Sequence, residues 1–140
     1  MTKRESILAA VNSALSGTTN VSDRIYRSRV TAFARSEHPA IVIEPVSENA
    51  NVEAVHRVLW ELLFAVIVIV RADNADTTAD PIIEDAYGKI MSDATLDGML
   101  VELVPISTDW QFVDADKPLG IVTMQFKASY QTAISDLSSI

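Results

Sequence analysis

Cysteine is absent from the 140 residues, which excludes disulfides, thiolate metal sites and a cysteine nucleophile. Glycine is scarce: Gly17, Gly88, Gly98 and Gly120 are the only four, too scattered to build a phosphate-cradling loop. The two histidines, His38 and His56, fall in neither an H-E-x-x-H nor an H-x-H spacing, so a structural or solvated role is expected for both. No serine occupies a G-x-S-x-G elbow. Long hydrophobic runs are missing too. The longest, LLFAVIVIV from Leu62 to Val70, has nine residues, whereas a membrane-spanning helix needs about 20. The opening MTKRESILAAVNSAL has no sustained apolar core and no small-residue cleavage site, so a secretory leader is not expected. These absences favour a protein that is soluble and cytoplasmic when made, and they weigh against nucleotide chemistry.

Positive charge is in short supply and unevenly placed. The formal net charge is −8. Residues 1–36 nevertheless carry six basic side chains (Lys3, Arg4, Arg24, Arg27, Arg29, Arg35) against two acidic ones, Glu5 and Asp23. Residues 37–140 carry five basic against seventeen acidic. A cationic end and an anionic body on one chain can attract copies of that chain head to tail. Nucleic acid is the other candidate for the arginine strip, but the acidic body would repel phosphate unless the strip faced it alone.

What is present is enough for a core. Hydrophobic residues make up 49% and charged residues 21% of the chain, which fits one globular domain over 1–140. Thr2 and Glu5 form a T-x-x-E capping box, and Ile7, Leu8, Val11 and Leu15 follow at helical spacing up to Gly17, predicting a helix near Lys3–Ser16. Residues from about 18 to 37 keep no period and read as an extended arm or loop. Ala40–Glu44 reads as a short strand ended by Pro45, and VSENANVE after it as a polar turn. Val58–Arg71 alternates with β-branched and aromatic residues, predicting a long strand with a bend or bulge. ADNADTTADP reads as a loop whose Asp80-Pro81 caps and opens a second helix near Pro81–Asp93. Met99–Val104 and Ser107–Val113 read as two strand pieces broken at Pro105. Gly120–Tyr130 shows the cleanest alternation, with one covered and one wetter face. No internal repeat is visible. The expected fold class is α+β, a mainly antiparallel sheet with two helices packed on it. Its expected core includes Trp60, Phe64, Val66, Val68, Ile83, Tyr87, Val122, Met124 and Phe126.

Candidate sites are few. Asp73, Asp76 and Asp80 have the look of a hard-cation loop, but the sixth and twelfth positions from Asp73 hold Thr78 and Glu84, so the glycine of a calcium loop is missing. A solvated loop and helix cap is the preferred reading. Asp114 and Asp116 could act as paired carboxylates, although flanking a turn they read as turn formers. Trp110 and Phe112 share one face of a strand and are expected in the core. An exposed Trp110 would instead mark a partner-binding anchor.

Several stretches, taken in order, resemble a known family. They are YRSR (Tyr26–Arg29) followed by HPAIVIEP, and VIVR at Val68–Arg71. ADPIIEDAYGKIMSDATLDGM (Ala79–Met99) and STDWQFVDADKPLGIVTMQFKASYQT (Ser107–Thr132) follow. Together they are similar to the tail terminator proteins of long-tailed bacteriophages, the lambda-type minor tail protein U class. The resemblance runs from about Tyr26 to Thr132. It implies a late-made structural protein of the virion, a hexameric ring at the head-proximal end of the tail. Such a ring caps the tail tube, stops its polymerisation and joins the tail to the head. The implied partners are further copies of the chain, the tail tube protein and the head–tail connector protein. DNA would pass the lumen without sequence-specific binding, and no membrane, cofactor, metal or catalytic residue is implied. In such a ring the arginine strip (Arg24, Arg27, Arg29, Arg35) could dock on a neighbour's Asp73, Asp76, Asp114 and Asp116, or else line the lumen. Another head–tail joining protein, such as a neck or tail-completion component, is the nearest alternative. A small α+β enzyme or ligand-binding domain is a more distant one.

Overall fold

The computed structural model describes residues 1–28, 37–93, 95–96, 98–114 and 117–139. In chain order the elements are α1 (Lys3–Ala14), β1 (Ile25–Arg27), β2 (Ala40–Glu53), β3 (Arg57–Arg71), α2 (Ala75–Met91), β4 (Glu102–Val113) and β5 (Leu119–Ala133). The strands form one sheet in the order β1-β2-β3-β5-β4. Every pairing is antiparallel except that of β1 with β2. Both helices pack on one face of the sheet, an α+β fold in a single domain.

The core follows from the period-two pattern of the two central strands. Val66, Val68 and Val70 of β3 lie opposite Met124, Val122 and Gly120 of β5, and all point to the helix-covered face. Phe64 stacks on Phe126 with ring centroids 5.5 Å apart. Ile41 and Ile43 extend this face on β2. From above, α1 contributes Ile7, Leu8 and Val11, and α2 contributes Ala75, Ala79, Ile82, Ala86 and Ile90. The opposite face carries Thr123, Gln125 and Lys127, with Lys127 paired to Glu61 at 3.4 Å. It also carries half-buried Leu63, Ile67, Ile69 and Ile121.

Three expectations change. First, proline does not end the strands. β2 runs on through Pro45 and the stretch expected as a turn, and β4 is one strand through Pro105. Each proline opens a bulge, Pro45-Val46-Ser47 and Pro105-Ile106-Ser107. A bulge absorbs the missing N–H donor that would break a regular ladder, and it leaves Val46 and Ile106 exposed. Second, α2 begins at Ala75, so Pro81 sits inside it rather than opening it, and Asp76 and Asp80 are helical rather than in a loop. Ala75 and Ala79 continue the apolar stripe of Ile82 upstream, and their burial offsets the hydrogen bond that Pro81 removes. Gly120 makes that approach possible: a Cβ there would stand 2.5 Å from the Ala75 Cβ. Third, Tyr87 is 40% exposed, touching Phe126 only by a tilted ring contact at 6.1 Å, and Trp60 and Ile83 are half-buried.

At α1, Thr2 caps Glu5 N–H through its hydroxyl at 3.1 Å. The Glu5 carboxylate goes elsewhere, to Arg27. Residues 18–28 of the expected arm contain a buried Val21 and the short strand β1.

Candidate assembly interface

Arg24 and Arg27 flank the β1 edge of the sheet. Parallel pairing with Ile41–Ile43 fixes this short strand, and α1 lies beside it. The Arg27 guanidinium donates two hydrogen bonds to Glu5, at 3.1 and 3.2 Å. That pair, with a contribution from Arg4, holds the Glu5 carboxyl below the usual carboxylate range. Arg24 donates from Nε to the Pro39 carbonyl at 2.8 Å and from Nη2 to the Asn20 carbonyl at 2.6 Å. Two carbonyls take two of its five donors without neutralising its charge. Arg29 and Arg35 lie outside the described residues.

The carboxylates of the acidic body in and around α2 and after β4 divide into two kinds. Asp85 is engaged within the chain, accepting from the Thr19 backbone N–H at 2.7 Å and its hydroxyl at 3.0 Å. These bonds, chiefly the backbone one, lower its pKa, and Lys89 at 3.4 Å adds to the effect. Asp73, Asp76, Asp80 and Asp114 are exposed. Asp76 and Asp80 stand one turn apart near the start of α2. Asp116 lies outside the described residues.

Beside those aspartates the sheet ends in β4, and here the structure corrects the core reading. Trp110 is 55% exposed and Phe112 59%. Trp110 lies opposite buried Val122, and Phe112 opposite Gly120, so both rings point to the helix-covered face. They remain exposed because β4 extends past the flank of α2. A groove lined by Trp110 and by Asp76, Thr77 and Asp80 of α2 runs between strand and helix. The sequence reading missed Phe112 and Asp80 as members of this surface. The signal available was the count of chemistry-poor aromatics on a strand that only one neighbour flanks.

A polar clamp was also invisible in the sequence. Arg4 of α1 donates to Glu48 of β2 at 2.7 Å, and the Tyr130 hydroxyl of β5 donates to the other oxygen of Glu48 at 2.5 Å. Burial first, and the Glu48 carboxylate second, push the Tyr130 hydroxyl well above the ordinary tyrosine range. The clamp ties α1 to two strands. Among the described residues no three of His, Asp and Glu come together to hold a metal ion, and no helix is long and apolar enough to cross a membrane.

No protein-family model matches the chain, and no curated protein is similar to it. A solved structure does match: one chain of the virion of a native gene transfer agent (GTA) particle. The TM-score is 0.59, and the match covers 89% of this chain and 93% of that one. The two chains share a fold. At 13% identity the likeness is one of fold alone, but it takes in most of both chains.

Proposed function

We propose that the chain is a structural virion protein, not an enzyme, and that it acts as a tail terminator. In this reading six copies close into a ring on the end of the tail tube, stop its growth and offer the head connector a docking surface. The observation that carries the proposal is the fold shared, over 89% of this chain, with a virion chain. The ordered motifs from Tyr26 to Thr132 supply the tail-terminator part. The charge division adds support, because a ring needs two different patches that fit each other. The cationic Arg24–Arg35 strip and the acidic Asp73, Asp76, Asp114 and Asp116 are such a pair, with Trp110 beside the acidic one.

The test is assembly of tubes from the cognate tube protein, with and without this chain, viewed by electron microscopy. Tubes should stop growing and show a ring at one end when the chain is present. Tubes of unchanged length with bare ends would sink the terminator reading. Binding to the connector alone would make the chain a head–tail joining protein of another kind.

A further inference from the structure

We infer that the open edge of β4 from Ser107 to Val113, with Trp110 and Phe112 beside it, is the surface on which the cationic α1/β1 end of the next copy docks. The inference deepens the proposed ring and rests on it only for ring closure; the contact itself stands on the following observations.

β4 is bonded to β5 on one side and is the last strand of the sheet among the described residues. Edges of this kind are ordinarily blunted by lysine, proline, a bulge or brevity. None of these protects Ser107–Val113. Pro105 and the bulge lie before it, Asp109 is its one charge, and residues Thr108 to Val113 are all exposed. The other edge is different in kind: β1 has three residues. A long open edge flanked by two large aromatics is a surface that another chain completes.

Charge selects the occupant. Asp76 and Asp80 line the groove beside Trp110, Asp109 lies in β4 and Asp114 follows it, so two β4 edges brought together would set acid against acid. The cationic counterpart lies at the opposite edge of the sheet and is Arg24, which precedes β1: Arg27 is paired to Glu5, Arg4 to Glu48, and Lys3 donates to the Gln131 carbonyl of β5. Among the described residues the Arg24 guanidinium meets only carbonyl oxygens. Joining opposite edges gives a heterologous contact, which repeats from copy to copy and can close. Trp110 and Phe112 supply the apolar centre of such a contact, and the aspartates its charged rim.

The test uses the full chain in three forms. Sedimentation should show wild-type protein self-associating at low salt and dissociating as salt rises. Trp110→Ala with Phe112→Ala should weaken self-association by about tenfold or more, with circular dichroism and melting unchanged. Because the chain has no cysteine, introduced thiols report geometry directly. Gln111→Cys with Asp23→Cys should oxidise to a ladder of covalent multimers, and Gln111→Cys alone should not cross-link. A wild-type chain that stays monomeric at millimolar concentration overturns the inference. So does an aromatic double variant that assembles normally, or a disulfide dimer from Gln111→Cys alone. Self-association through this edge with tubes left uncapped would remove the terminator reading and leave this inference standing. Capping by the aromatic double variant at wild-type efficiency would do the reverse.

Discussion

β4 and β5 are neighbours in one ladder, and both present alternate aromatic or aliphatic side chains to the same face. Along β5, Val122, Met124, Phe126, Ala128 and Tyr130 are all but inaccessible, whereas along β4 Trp110 and Phe112 keep more than half of their surface. The cross-strand partners are in register, so the strands themselves do not account for the difference. The helix does. α2 lies over β3 and β5, and its N-terminal turn settles against Gly120, leaving the outermost strand beyond its reach. Burial here belongs to a strand's place in the layer, and an alternating pattern reads the same whether the covering element belongs to this chain or to another.

The comparison is broken most directly at the centre. Phe126→Ala should lower unfolding free energy by about 3–5 kcal/mol in denaturant titration, since Phe126 is 1% exposed and stacked on Phe64. A loss under about 1 kcal/mol would mean that the helix-covered face is not the main core. Next comes the contact that defines where α2 sits. Gly120→Ala sets a Cβ against the Ala75 Cβ at 2.5 Å and the Val70 Cγ2 at 3.3 Å. It should lower stability by about 1–3 kcal/mol through overpacking, and Ala75→Gly in the same chain should recover part of the loss.

The buried clamp gives a pH test. Tyr130 holds its proton more tightly folded than unfolded, so its contribution is complete below the unfolded pKa of about 10 and is lost as pH rises past it. Stability should fall by up to about 1.4 kcal/mol per pH unit there, and Tyr130→Phe should flatten that slope in alkaline melts. The smallest effect belongs to the outer strand. Trp110→Ala should change monomer stability by no more than about 0.5 kcal/mol. A loss near that of Phe126→Ala would place Trp110 in the core and erase the contrast. A gain of about 0.5–1 kcal/mol is expected from Val55→Gly at the β2–β3 hairpin tip, where Val55 has φ 59°, a region that glycine enters without steric cost.

Much of this was legible residue by residue. Thr2, Ile7, Leu8 and Val11 announced α1 because capping and helical spacing are local properties. The alternations of β3 and β5 announced the central ladder because a two-residue period survives any tertiary context. Proline misled twice as a stop, since a bulge supplies the relief that a strand end would otherwise provide. Asp80-Pro81 misled as a helix start, because Ala75 and Ala79 look neutral until Gly120 opens a place for them. In the candidate site, the arginine strip and the acidic body were visible as charge. The aromatic edge was visible only as the second choice for Trp110, because Trp110 and Phe112 carry the same pattern as buried residues.

The sequence by itself determined the elements of greatest period, the division of charge between the ends, and the absence of any thiol chemistry. All of these depend on residue identity and near neighbours. Only the tertiary structure decided the strand order, which puts β1 and β4 at opposite edges. It alone decided which arginines are held at home, Arg27 by Glu5 and Arg24 by two carbonyls, and which aspartates are exposed. It alone left Trp110 and Phe112 uncovered, because the span of a helix over a sheet is set by how closely the two backbones can approach. That distance is fixed by a glycine more than forty residues away in the chain from the alanine it admits.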